Sequence, residues 1–193
     1  MTIRFLLIFV FTLTLSACEA VEELAPEGLV DNEGPSVFER LIDSLAGRCG
    51  QNLARTELPR PVEGAVVTST VNAYRIINGQ ARPHYGTDFG APTGTPIIAI
   101  ADGVIEERRL KGSFGNYIQV EHGHGYDTRY AHMSRFEAGL AVGDCVSQGD
   151  VIGYVGSTGR STGPHLHIEI RKNDKALFPR ELGLSWAKGS RGP

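Results

Sequence analysis

From about residue 62 onward the chain alternates apolar and polar positions with a period of two, the spacing of half-buried strands. Residues 66–70 read as a first strand, and 96–101 and 104–110 as a pair joined at Asp102-Gly103, a dipeptide that favours tight hairpins. A second hairpin joins 117–121 to 126–132 around Gly123-His124-Gly125, where period two puts Tyr126, Thr128, Tyr130 and His132 on one face. In 165–170 the alternation is strict: Leu166, Ile168 and Ile170 take one face, His165, His167 and Glu169 the other. Gly163-Pro164 ends the polar turn before it, so both histidines stand at the mouth of that strand. Residues 70–83 have mixed polarity and predict a long loop, and 84–90 an extended segment, because Gly86 and Gly90 disfavour a helix through His84 and Asp88. Only 36–47 carries a helical signature. There Ser36 and Glu39 form a capping box, Val37, Phe38, Leu41, Ile42 and Leu45 recur at helical spacing, and Gly47 closes the helix. The predicted fold class is all-β, an antiparallel sandwich or open barrel-like domain preceded by one short α-helix.

Composition agrees with many short strands, since 24 glycines in 193 residues exceed the average share of about 7%. At 41% hydrophobic and 21% charged the chain is globular, with room for one domain and appendages. Basic residues are not clustered with aromatics, so nucleic acid is not an expected partner. Residues 19–34 hold six acids and no base, which predicts a solvated tether over 18–34. Pro59 and Pro61 break any regular element, so 35–60 reads as the helix plus an irregular connection. The domain then covers 61–182, and 183–193 is a peripheral tail.

A lone His-x-His on a strand is commonly a surface pair. Here two further stretches accompany it, His84-Tyr-Gly-Thr-Asp88 and Tyr130-Ala-His132. Imidazole and carboxylate are the usual zinc ligands outside thiolate sites, and three protein ligands with one open position activate water. His84, Asp88 and one histidine of the pair suffice. No strand-elbow serine, nucleophilic cysteine context or phosphate-cradling loop offers a competing chemistry. His122 and His124 fall at a turn and read as structural or exposed.

The pattern His-x3-Asp, a later Tyr-x-His, and Thr162-Gly-Pro-His-Leu-His-x-Glu169 resembles the lysostaphin-type zinc metalloendopeptidases, which cut peptidoglycan peptides. The resemblance runs from about 61 to 182 and includes Gly156-Ser-Thr-Gly-Arg-Ser-Thr-Gly163. It implies the duplicated hybrid motif fold, Zn2+ held by His84, Asp88 and His167, and His132 and His165 as catalytic histidines, either of which can serve as base or oxyanion donor. It also implies a groove walled by 70–83 and by 111–115, although Asn72-Ala-Tyr-Arg75 departs from the family's wording at the first wall. Glu169 faces the same way as the histidines and suits either orientation of a ligand or plain solvation. Peptidoglycan is the implied substrate, as a D-alanyl cross-link to a diamino acid or a glycine-rich bridge, with hydrolysis by a monomer. Some relatives of this fold lack ligands and only bind wall or activate amidases, but no residue of the set is missing here. A regulator or an activated amidase is the further partner such relatives suggest. Residues 142–153 have the valine and glycine spacing of a compact hairpin seen in biotinyl and lipoyl carriers, but Ser147 and Gln148 occupy the position of the modified lysine.

At the N-terminus Arg4 precedes an apolar run over 5–15, too short for a membrane span and suited to a signal peptide over 1–17. Leu15-Ser-Ala-Cys18 resembles the bacterial lipobox, which implies lipid on Cys18 and an anchor in the cell envelope. In a Gram-negative host that means the outer membrane, facing the periplasm. The tether would add reach at no more than about 3.3 to 3.6 Å per residue. With Cys18 acylated, Cys49 and Cys145 are left as an even pair, either a disulfide or two buried thiols.

Overall fold

The computed structural model describes residues 58–71, 73–77 and 79–191, together with Ser44, Cys49 and Leu53. The signal segment, the tether and most of the helix expected from the sequence lie outside the described residues; Ser44 itself is helical. In chain order the strands are β1 (Val66–Ser69), β2 (Tyr74–Ile77), β3 (Gln80–Pro83), β4 (Thr87–Gly90), β5 (Pro96–Ile98), β6 (Gly103–Leu110) and β7 (Asn116–Glu121). There follow β8 (Tyr126–Met133), β9 (Arg135–Phe136), β10 (Cys145–Val146), β11 (Val151–Tyr154), β12 (His165–Lys172) and β13 (Lys175–Ala176). The large sheet runs β1-β4-β12-β8-β7-β6-β10, with β13 also on β12, while β5-β11-β9 form a small sheet and β2-β3 a separate hairpin. The strand pairs are antiparallel throughout, and the predicted all-β class is what is found.

Strict alternation in β12 explains the layering. Leu166, Ile168 and Ile170 are buried, and the register sets Phe89 opposite Leu166 and Tyr130 opposite Ile168. Ile97 and Ile152 of the small sheet join the same cluster, so two sheets close on one core. Phe89 is its anchor near β1, with Trp186 edge-on at 5.2 Å and the Arg60 guanidinium 5.1 Å from the ring centroid. Burying such a side chain is worth roughly 1.5 to 3 kcal/mol. The same register puts Asp88 opposite His167 and Arg129 opposite Glu169 on the other, polar face. A slip by one residue would exchange the two faces, so the apolar row fixes where the polar row stands.

Several local expectations are corrected. Residues 96–101 and 104–110 do not pair as a hairpin, because β5 joins the small sheet and β6 the large one. The chain crosses between the layers through Ala99, Ile100 and Ala101, all buried. Residues 142–153 make a second crossing, with β10 on β6 and β11 on β5 and β9. The two crossings brace each other: Ala99 N–H donates to Asp150 O and Gly149 N–H to Ala99 O, both at 2.9 Å, and the Asp102 carboxylate accepts Gln148 N–H at 2.7 Å. The stretch read as a loop before His84 contains the β2–β3 hairpin, and the exposure of all four residues of β3 leaves it no apolar face to mark it. The tail is not peripheral either. Trp186 is in the core, and Val67 exchanges backbone hydrogen bonds with Gly189 and Ser190 at 2.7 and 3.1 Å. Of the two states open to the cysteines, the disulfide is found: Cys49 and Cys145 are bonded, Cα atoms 5.3 Å apart, tying the segment before the domain to β10.

Candidate metal centre

Asp88 points off the polar face because Phe89 beside it takes the core, and antiparallel pairing puts His167 directly across from it. His84 arrives just after β3. His84 Nε2, Asp88 Oδ1 and His167 Nδ1 form a nearly equilateral triangle, with sides of 3.2, 2.9 and 3.0 Å, and all three residues are buried. These are the residues that can hold a metal ion among those described. A tetrahedral ion with bonds near 2.0 to 2.2 Å separates its ligand atoms by about 3.3 to 3.6 Å, a few tenths of an ångström wider than these sides.

Hydrogen bonding fixes the tautomers. His84 Nδ1 lies 3.1 Å from Thr70 O, an acceptor only, so Nδ1 carries the proton and Nε2 presents its lone pair to the triangle. His167 Nε2 lies 3.2 Å from Glu169 Oε1, which leaves the lone pair of Nδ1 facing inward. Glu169 is buried, and its second oxygen accepts from Arg171 at 2.9 Å. Burial alone pushes this carboxyl up, but hydrogen bonds from His167 and Arg171 and the charge of Arg171 outweigh it and hold it below the usual carboxylate range. Of the two readings open for Glu169, orientation of a neighbouring histidine is the one its contacts match.

His132 and His165 stand beside the triangle, their rings 4.7 Å apart, with His132 6.0 Å from His167. His165 Nε2 is 3.9 Å from Asp88 Oδ1. Each donates Nδ1–H to a backbone carbonyl, His132 to Thr158 and His165 to Gly163, both at 2.8 Å, so each has Nε2 as its basic nitrogen. Alternation in β8 would send His132 to the core with Tyr130. The backbone turns over there instead, with φ +63° at His132 and a register shift between β7 and β8. A left-handed non-glycine residue at a bulge is a strained arrangement of the kind that re-aims a side chain at a functional site. An open cleft over the triangle is lined by Pro83, Tyr85, Ser113, Phe114, Arg160 and Glu169 as well as by His84, His132 and His167.

All five histidine and aspartate positions picked out by their spacing therefore converge, and they lie within residues 82–179, which match the sequence pattern of Peptidase family M23. The chain belongs to peptidase family M23. It is 37% identical over 167 residues to the peptidoglycan DD-endopeptidase ShyC of Vibrio cholerae serotype O1, a match covering 83% of this chain and 38% of ShyC. To the DD-carboxypeptidase/endopeptidase Mpg of Neisseria meningitidis serogroup B it is 50% identical over 103 residues, 53% of this chain and 23% of Mpg. Among solved structures, a zinc-containing peptidase from Vibrio cholerae superposes with a TM-score of 0.60 at 34% identity, over 68% of this chain and 41% of that one. The chain thus spans well under half the length of the curated relatives it matches.

The M23 site also contains residues that spacing alone did not mark. Thr158 holds His132 through its carbonyl, and its hydroxyl donates to Met133 O at 2.7 Å while accepting Asn116 N–H at 3.0 Å. Arg160 lies in the same glycine-rich segment but was visible there only as one letter of a motif. The wall expected at 111–115 is present as a short 3-10 turn, Gly112–Phe114, with Phe114 6.0 Å from the His167 ring. His122 and His124 do not join the site: His124 is exposed, and His122 is buried against Asp102 O and Thr128.

Proposed function

We propose that this M23 domain is a zinc-dependent endopeptidase that hydrolyses peptide bonds of peptidoglycan stem peptides or their cross-links. His84, Asp88 and His167 hold the ion, and His132 and His165 act on the reacting atoms. The observation that carries the reading is the triangle itself. Two imidazole lone pairs and a carboxylate oxygen within 3.2 Å of one another repel, and a cation between them converts that repulsion into binding. Two imidazoles, one carboxylate and an open side are a donor set that suits catalytic zinc. When bound, zinc supplies a Lewis acid for the scissile carbonyl and lowers the pKa of a water toward 7.

The chain's residues supply the proton handling. His132 and His165, each with Nδ1 committed to a carbonyl, keep Nε2 as the basic nitrogen to take a proton from water, to return it to the leaving amine, or as imidazolium to donate to the oxyanion, and His132 lines the cleft itself. The relatives' names supply the substrate class. A wall-binding or amidase-activating role without cleavage is disfavoured by the complete set of five residues.

The proposal extends to location. With the lipobox cysteine acylated, the protein is anchored in the cell envelope, at the outer membrane facing the periplasm in a Gram-negative host. Cys18→Ala should move it to the soluble fraction, and unchanged membrane fractionation would refute the anchor.

Metal content read beside activity tests the enzyme reading. His84→Ala, Asp88→Ala and His167→Ala should lose zinc and wall cleavage together. His132→Ala and His165→Ala should keep near-stoichiometric zinc yet cleave about 10²-fold more slowly or worse. Five variants that all still release wall peptides would end the metallopeptidase reading.

A further inference from the structure

Among the described residues, Arg160 is the one lysine or arginine lining the cleft over the triangle. Glu169, the carboxylate that also lines it, is committed to His167 and Arg171. The Arg160 guanidinium makes no hydrogen bond or ion pair with the described residues, so among them nothing compensates the positive charge it brings to the cleft.

Its position is built rather than incidental. Arg160 N–H donates to Ser113 O at 2.9 Å, fastening the residue to the wall that carries Phe114. Gly159 before it has φ +71°, and a β-carbon there would collide with the backbone of Gly115, so this turn and that wall meet without side chains between them. One residue further back, Thr158 O receives the Nδ1 proton of His132. The segment that carries Arg160 holds both histidines, His132 through Thr158 O and His165 through Gly163 O, and of the two it is His132 that lines the cleft together with Arg160.

We infer that Arg160 is a substrate-binding residue for a free carboxylate on the carbon that bears the scissile amide nitrogen. The inference rests on the endopeptidase reading above. Hydrolysis breaks the amide C–N bond, places the water oxygen on the carbonyl carbon and returns a proton to nitrogen; the inference takes His132, the histidine that shares the cleft with Arg160, as the acid that returns it, which puts that ring near the leaving amine. A cation on that imidazole's side meets whatever the amine's own carbon carries. A cross-link from D-alanine to the amine of a diamino acid leaves a carboxylate on that carbon, and so does a terminal D-alanyl-D-alanine. A glycine bridge has none at an internal bond. The guanidinium fork matches a carboxylate with two parallel hydrogen bonds, which fixes orientation as well as charge.

The test uses zinc-loaded protein and three substrates. They are a stem-peptide dimer with the free carboxylate, the same dimer with that carboxylate amidated, and a glycine-bridged peptide. The wild type should prefer the free acid by about 10- to 10²-fold in kcat/KM, the size expected for one partly exposed charge-assisted contact. In Arg160→Gln that preference should collapse toward unity with zinc content unchanged, and Arg160→Lys should retain an intermediate preference. Equal cleavage of both dimers by the wild type, or an equal preference in wild type and Arg160→Gln, overturns the inference while the peptidase stands. Cleavage of the glycine bridge alone does the same, whereas cleavage of none of the three removes the endopeptidase reading and this inference with it.

Discussion

Gly86 lies against the imidazole of His167: a β-carbon built on it would come within 2.5 Å of Cε1 and 2.7 Å of Nε2. The position between His84 and Asp88 is therefore glycine because the ring of His167 occupies the space of its side chain. The carbonyl of Ile168 closes the same space at 2.5 Å, so neither neighbour can give way cheaply. Gly86→Ala should displace His167 from the triangle, and zinc content after dialysis should fall well below one per chain in a protein that still folds. Stoichiometric zinc in the alanine variant would show that the ring has room to move.

Glu169 acts through the same ring. With its carboxylate on Nε2, His167 presents Nδ1 to the triangle; without it the tautomer and the ring rotation are both released. Glu169→Ala should weaken zinc binding by about 10- to 100-fold, read by competition with a chromophoric chelator. Glu169→Gln keeps one acceptor oxygen and should fall between the two. An unchanged zinc affinity in both variants would assign the carboxylate to folding alone.

How much of this was legible beforehand follows from which contacts are periodic. The faces of β12 could be read from 165–170 because apolar and polar residues alternate strictly there, and the candidate ligands followed from spacing and chemical type up to the choice between His165 and His167, which the family resemblance made. The crossings at 99–102 and 147–150 could not be read, since an apolar run bounded by Asp-Gly looks the same whether the chain turns back or changes sheet. Alternation put His132 on the face of Tyr130, which the structure shows to be the core face; the left-handed backbone at His132 turns its ring into the site instead. The roles of Thr158 and Arg160 depend on a carbonyl and on a turn packed against Ser113, and neither leaves a pattern of side-chain types.

The disulfide joins Cys49 to Cys145 across a sequence separation of 96 residues, outside the cleft. Loop-closure estimates give about 4.7 kcal/mol for a loop of that size, as an upper figure. The paired replacement Cys49→Ser with Cys145→Ser should lower stability in urea by up to that amount while leaving zinc stoichiometric. Two titratable thiols in the denatured, unreduced protein lacking residues 1–18 would contradict the bond directly.

His122 gives the fold an acid limit that is separate from the catalytic histidines. Its Nδ1 donates to Asp102 O at 2.6 Å, its Nε2 lies 2.8 Å from the Thr128 hydroxyl, and the ring is 2% exposed. Burial lowers its pKa to about 4, against only partial compensation from the Asp102 carbonyl. The folded state thus keeps His122 neutral where the unfolded chain, titrating near 6.5, already binds a proton. Stability from this group is fully present above about pH 6.5 and is lost as pH falls toward 4, at roughly 1.4 kcal/mol per unit and on the order of 3 kcal/mol in all. Glu106 and Asp127, whose carboxyls burial holds above their usual range, act in the opposite direction. Their contribution is shared by a His122→Gln variant and drops out of the comparison. Urea unfolding of both proteins at pH 7 and pH 4.5 should therefore show the wild-type advantage shrinking in acid. An advantage of the same size at both pH values would mean that His122 is charged in the folded protein, and that its two hydrogen bonds are those of an imidazolium.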